Sequence, residues 1–433
     1  MKKLKIAFLS YRSKPFSGGQ GIYVKYLSKA LHDLGHEVDV FSGPPYPDLD
    51  PEIKLIKIPS LGLYEKKSKF YDVQLKKLLN PINFFEWVSI NSGGFPEPYT
   101  FGKRIKKILK ENLNSYDIIH DNQSLAYELL FFQKRKPLVT TIHHPISKDL
   151  SYQLNSTKDI FLKLLMRRWH SFLVMQKFVA KRLNKIIVPS RSSILDIKNE
   201  FKVDEAKMER VMNGIDLNVF YPDPKIAKIK QRIVTVASAD VPLKGLDYLL
   251  KAMAQLVQTY PDISLSVIGE QKRGGHTERL ISKLNLNERI KFFSNLNQDD
   301  LRKTYCESEI AVVPSLYEGF GFAAIEAMAC GIPLVSSSGG ALPEVVKDAG
   351  IIIPPKNSEE ILNSIKLLLS SPDISDNLID KALKRVNSKF SWKVIAEKLE
   401  KIYSSFEVKQ SSILPVKASI IFLIKKFSFL KTI

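Results

Sequence analysis

The second half of the chain repeats a pattern that few folds can accommodate. A short apolar run is followed by a turn, then by a longer stretch with apolar residues three and four apart, then by another short apolar run. The runs fall at 233–237, 263–268, 290–293, 310–314, 332–336 and 351–354 and are rich in Ile and Val, so they read as buried strands. Between the first two, Leu246, Leu249, Leu250, Met253, Leu256 and Val257 recur at helical spacing. Strands alternating with helices imply a parallel sheet joined by right-handed crossovers. The first half follows the same rule, with candidate strands at 5–10, 37–41, 117–120, 137–142 and 185–188. A helix over about 22–34 carries Tyr23, Leu27, Ala30, Leu31 and Leu34 on one face and stops at Gly35. Between 44 and 100, prolines interrupt the pattern and no clean period emerges.

The expected architecture is therefore α/β, with two doubly wound domains facing across a cleft. The first spans 1–212 and the second 231–390, with a turn-rich hinge at 213–230. A helix at 391–407 returns toward the first domain, and 408–433 is a basic, apolar tail. In such sheets ligands bind beyond the carboxyl ends of the strands. The stretch after the run at 310–314 fits a ligand site best. A glycine loop, Glu318 to Gly321, opens a helix that runs from about Phe322 to Ala329 and ends before Gly331. Strand, glycine loop and helix N-terminus together gather free backbone N–H groups at one point, a ready anion site. Two turns of helix separate Glu318 from Glu326, which places both on about the same side.

Other motifs sit at equivalent turns. Ser17-Gly18-Gly19-Gln20-Gly21 follows the first strand, although a tight turn would also explain it. Lys244-Gly245 precedes the helix at 246, where a lysine can reach a phosphate; a solvated surface lysine is the plain alternative. Gly339-Gly340-Ala-Leu-Pro343-Glu344 forms a second glycine loop beside the first, so two adjacent anion-cradling loops are expected. His120, His143 and His144 lie at the ligand-facing ends of two strands, with no spacing that suggests zinc. Asp48-Leu-Asp50 has the form of a metal–nucleotide motif but sits among prolines and reads as a loop.

Charge adds a partner. The chain carries a net charge of +20. Residues 1–200 hold 33 Lys and Arg against 18 Asp and Glu, 201–407 are balanced, and 408–433 hold five Lys and no acid. A basic first half and tail suggest a face turned to an anionic surface. Two cysteines, Cys306 and Cys330, exclude a disulfide framework and suit a reduced cytoplasm. The apolar part of the N-terminus, Ile6 to Leu9, is too short for a signal peptide and reads as the first strand. No stretch approaches the length that spans a bilayer.

The block Glu318-Gly-Phe-Gly…Glu326-Ala-Met-Ala-Cys-Gly-x-Pro resembles the signature of retaining glycosyltransferases of family 4. Gly18-Gly19, Asn213-Gly-Ile-Asp216, Lys244-Gly245, Gly339-Gly340 with Glu344, and Phe390-x-Trp392 extend the resemblance over about 1–406. It implies the GT-B fold of two Rossmann-like domains and a nucleotide-sugar as donor substrate, with no cofactor and no metal. By similarity, Glu318 meets the transferred sugar together with the N–H groups of Gly319, Phe320, Gly321 and Phe322. Glu326 would bind the ribose hydroxyls, Lys244 the diphosphate, and Gly19 a phosphate from the other domain. Two departures stand out. Ser238 occupies the place of a phosphate-binding arginine found in many relatives. The sequence His120-Asp121-Asn122 replaces a common His-x-His pair, which leaves His120, His143 or His144 for the acceptor side. The candidate catalytic side chains are thus Glu318, His120 and His143.

The expected function is transfer of a sugar to a lipid-linked or surface-glycan acceptor at the cytoplasmic membrane face, with peripheral attachment to an anionic surface. The alternatives are a non-catalytic sugar-nucleotide protein and a GT-B-fold epimerase. A phosphorylase would need a longer chain with a cofactor lysine. Nucleic acid is not expected as a partner, because the charge is not interleaved with aromatics in any recognition motif.

Overall fold

A computed structural model describes residues 2–14, 19–63 and 73–411. Ser17, Gly18 and most of the basic tail fall outside the described residues. Among the described residues the first domain holds seven parallel strands, five of them at the expected apolar runs: β1 (Lys5–Ser10), β2 (Glu37–Ser42), β3 (Lys54–Lys57), β4 (Ile118–Asn122), β5 (Leu138–Thr141), β6 (Ile186–Val188) and β7 (Met208–Arg210). Their order is β3-β2-β1-β4-β5-β6-β7. The second domain holds β8 (Arg232–Val236), β9 (Ser264–Ile268), β10 (Ile290–Phe293), β11 (Ile310–Val313), β12 (Leu334–Ser337) and β13 (Ile351–Ile353), in the order β10-β9-β8-β11-β12-β13. Strand order reverses between β1 and β4 and between β8 and β11. Those reversals open the crevices in which doubly wound sheets bind ligands.

The central strands are buried on both faces: β4, β5, β11 and β12 have no exposed residue, and each opens on apolar residues, although β4, β5 and β12 end on polar ones. The edge strands β3 and β7 escape the sequence pattern. Each has only three or four residues, with charged ones among them, and among the described residues each pairs on one side only. The unpatterned region 44–100 contains the helix Pro81–Asn91 and the start of Glu97–Asn112. The latter buries Phe101, Ile105 and Leu109 at four-residue spacing. The interval between β5 and β6 is filled by the helices Ser147–Ser156, Ile160–Trp169 and Leu173–Ala180.

The last described helix, Trp392–Ser411, returns to the first domain. Its Ile395, Leu399 and Tyr403 share one core with Tyr23, Leu27 and Leu31 of the helix Gly19–Asp33. The return is pinned at its start by the Ile215 N–H donating to the Phe390 carbonyl at 2.7 Å. It is pinned again by the Tyr403 hydroxyl, 2.5 Å from His120 Nδ1. Thr141 Oγ1 lies 2.7 Å from His120 Nε2 and 3.0 Å from the Tyr23 hydroxyl. Four polar side chains thus satisfy one another inside the core. Tyr403→Phe should leave a buried imidazole nitrogen without its partner. Denaturant unfolding is expected to show about 1–3 kcal/mol of lost stability, and an unchanged midpoint would contradict this role.

Candidate active site

Three strand-to-helix turns of the second domain meet at one point because glycines let their backbones touch. After β8, the turn Pro242–Lys244 ends at Gly245, with φ +66°. A Cβ at Gly245 would lie 2.0 Å from the Pro314 carbonyl oxygen, so no other residue fits there. After β12, Gly340 has φ +65°, and a Cβ on it would lie 2.2 Å from the Glu318 carbonyl oxygen. That same oxygen accepts a hydrogen bond from the Ala341 N–H at 2.9 Å. The Gly339–Gly340 loop is thus a seat for the Glu318 loop.

This packing sets the polar geometry. Lys244 Nζ and Ser315 Oγ each donate to Glu318 Oε1 at 2.7 Å. The helix Phe322–Ala329 starts at Gly321 with no side chain capping its first N–H groups. Those groups and their helix dipole are placed for an anion. Glu326 sits one turn deeper and accepts a hydrogen bond from the Tyr305 hydroxyl at 3.0 Å. Burial raises its pKa to about 7, an effect reduced by the Tyr305 hydrogen bond and by the Lys244 charge.

The first domain supplies the opposite wall of a cavity of about 430 Å³. Gly19 opens its helix against the other domain, where a Cβ would lie 3.3 Å from the Phe322 ring. His143 and His144 lie beside the Glu318 loop, and a Cβ on Gly319 would lie 3.0 Å from that of His144. His143 Nε2 is 2.8 Å from Asn122 Oδ1. The Asn122 amide donates to the Gln20 carbonyl at 3.4 Å, which fixes its orientation. His143 therefore carries its proton on Nε2 and leaves a lone pair on Nδ1. Burial, then the neighbouring His144, lowers its pKa to about 3, so it is neutral at physiological pH. His144 pairs with Asp149 at 3.0 Å.

The structure thus brings together Gly19, Lys244, Glu318, Gly319, Phe320, Gly321, Phe322, Glu326 and His143 in one cavity. It does not bring His120, whose two ring nitrogens are bound in the core by Tyr403 and Thr141 and whose pKa burial lowers to about 3. The expectation of a catalytic His120 is corrected accordingly. Ser238 is exposed, and among the described lining residues Lys244 is the single Lys or Arg. Asp48 and Asp50 lie 2.8 and 3.7 Å from Lys25 and Lys29, as a surface loop would.

Contacts that the sequence did not reveal hold the Glu318 loop from the other domain. Ser190 and Ser193 each donate a hydroxyl hydrogen bond to the Gly319 carbonyl at 3.0 Å. The Tyr317 hydroxyl donates to Asp196 at 2.6 Å. Glu344 accepts from the N–H groups of Arg191 and Ser192 at 2.8 and 2.9 Å, at the N-terminus of the helix Arg191–Phe201. Ser190 caps the helix Arg191–Phe201, and nothing in the sequence pairs it with Gly319.

Known proteins decide the family. Residues 17–219 match the model of Glycosyltransferase Family 4, and 222–385 match that of Glycosyl transferases group 1. The MMP alpha-(1->4)-mannosyltransferase of Mycolicibacterium hassiacum is 39% identical over 405 residues, covering 92% of this chain and 98% of that protein. The chain belongs to glycosyltransferase family 4. A D-inositol 3-phosphate glycosyltransferase of Catenulispora acidiphila is 26% identical over 437 residues, covering 92% of this chain and 94% of that one. The GT-B fold of this glycosyltransferase is shared with sucrose-phosphate synthase from Thermosynechococcus elongatus, with TM-score 0.71, 24% identity and coverage of 94% and 100%. It is also shared with Anabaena HepE in complex with UDP-glucose, with TM-score 0.64, 17% identity and coverage of 93% and 100%.

Glu326 gives the glycosyltransferase a pH signature. Its carboxyl has an ordinary value of 4.5 and is raised to about 7 by folding, so the folded state holds the proton more tightly. Stability from this group is full below pH 4.5 and falls as pH rises to about 7. Glu326→Gln should flatten the decline of stability across that window, as measured by thermal unfolding in a series of buffers. A pH profile parallel to wild type would contradict the burial argument.

Proposed function

We propose that this family 4 enzyme is a retaining hexosyltransferase that moves a sugar, mannose by analogy with its 39%-identical relative, from a nucleoside diphosphate to a glycan or lipid-linked acceptor. The observation that carries the proposal is the convergence of Lys244, Glu318 and the uncapped helix start at Phe322 on one cavity, opposite Gly19 and His143. The diphosphate would take Lys244 from Glu318, and the helix N-terminus would face its second charge. Charge developing on the leaving group is then stabilised by a fixed cation and by backbone dipoles, so the proposal includes no metal. Glu326 would accept from the ribose hydroxyls.

In the proposed step the bond between the anomeric carbon and the β-phosphate oxygen breaks, and its electron pair stays on the diphosphate. The acceptor oxygen bonds to the same carbon, on the face the leaving group vacates. The departing diphosphate takes up the acceptor proton. Glu318, released from Lys244, meets the sugar hydroxyls, and the His143 Nδ1 lone pair accepts a hydrogen bond from a substrate hydroxyl. Closure of the two domains over the donor limits its hydrolysis. The proposed place of action is the cytoplasmic face of the membrane; among the described residues no helix is long and apolar enough to cross one.

Turnover of UDP-, GDP- and ADP-sugars by the purified chain tests the proposal, with a mannosyl donor expected to be consumed in the presence of a chelator. Glu318→Gln should lower kcat by about 100-fold or more while nucleotide affinity stays equal or tightens, because Lys244 is released from its ion pair. Near wild-type turnover in that variant would remove Glu318 from the chemistry.

A further inference from the structure

The first domain exposes apolar surface that its core does not explain. In the helix Ile160–Trp169 no residue is buried. Ile160 is 76% exposed, Phe161 68% and Leu164 57%, and beyond the helix Val174 is 72% exposed. The surface continues through aromatic rings in contact. Phe178 lies 5.6 Å from Tyr127, Tyr127 6.5 Å from Tyr99, and Tyr99 5.0 Å from Phe85. At its root, Leu165, Met166 and Trp169 line an open groove of about 420 Å³ with Gly93.

The charge on this surface is predominantly basic. Lys163, Arg167 and Arg168 belong to the exposed helix. Lys103 lies 5.1 Å over the Tyr99 ring and Arg182 3.6 Å over that of Phe178. Nearby, Arg135 lies 3.7 Å over the Phe131 ring. The acids are turned inward or are already paired. Glu86 and Glu97 are buried against Arg104 and Arg12, and Glu128 is buried against Lys103. Asp159 accepts from the first N–H groups of the exposed helix.

We propose that this face docks on an anionic lipid bilayer, with Phe161, Leu164 and Val174 entering the headgroup boundary and the surrounding lysines and arginines meeting lipid phosphates. The inference deepens the proposed action at the membrane and rests on it. Charge selects this occupant. The residues 408–433 carry five lysines and no acid, so like charge opposes their covering the face. A second copy would bring the same basic face to it. The position fits as well. The helix Ser147–Ser156 links the exposed helix to His144 beside the Glu318 loop, so a docked face sets the acceptor side of the cleft close to the bilayer.

The test compares the full chain with its triple variant Phe161→Glu, Leu164→Glu, Val174→Glu in co-sedimentation with vesicles of phosphatidylcholine containing phosphatidylglycerol. Wild type should bind, more weakly at high salt, and the variant at least about tenfold less. The variant should keep wild-type donor hydrolysis, which shows an intact cleft. No binding by wild type, or equal binding by the variant, would overturn the docking face. So would light scattering that shows a wild-type dimer and a variant monomer, since a second copy would then be the occupant. Turnover with an extracted acceptor in detergent reads the transferase proposal separately. Its absence alongside intact vesicle binding would reject that proposal and leave the docking face standing.

Discussion

The candidate site depends on backbone lying against backbone at the carboxyl ends of β8, β11 and β12. Gly245 rests on the Pro314 carbonyl and Gly340 on the Glu318 carbonyl, at distances that a Cβ would close to 2.0 and 2.2 Å. These two contacts draw three turns into one point, and the rest follows. Lys244 comes within 2.7 Å of Glu318, and the start of the helix Phe322–Ala329 is left facing a cavity with its first N–H groups uncapped. A side chain at either glycine would separate the loops by more than a hydrogen bond can span.

The two domains then share the fixing of this point. The Gly319 carbonyl is held by Ser190 and Ser193 of the first domain, and Glu344 of the second holds the N-terminus of the helix that carries Ser193. The interaction is reciprocal. A carboxylate sits at a helix start, where the dipole favours it, while hydroxyls from that same helix start bind the Glu318 loop. The returning helix Trp392–Ser411 ties the same two bodies together through Tyr403 and His120.

Much of this was legible in the sequence, for identifiable reasons. The central strands open on apolar runs because both faces are covered, so their alternation with helices gave the architecture. Glycine at 245 and 340 marks close backbone approach, and the Glu318–Glu326 block places two carboxylates on one side of a turn and helix. The edge strands β3 and β7 were not legible because three or four residues are too few to show a period. His120 was misread because a histidine at a strand end looks the same in sequence whether it faces the cleft or the core; Tyr403, which binds it, lies 283 residues away. The hold of Ser190 and Ser193 on Gly319 crosses 129 and 126 residues and leaves no local trace.

The central claim is that one lysine serves two anions, the Glu318 carboxylate to which it donates in this structure and, in the proposed step, the donor diphosphate. The most direct measurement is a calorimetric titration of wild type and Lys244→Ala with a nucleoside diphosphate and with the matching nucleoside. The diphosphate advantage over the nucleoside should shrink by about 10- to 100-fold in the variant, the loss of a charge-assisted contact, while nucleoside affinity is unchanged. An undiminished diphosphate advantage in Lys244→Ala would contradict it.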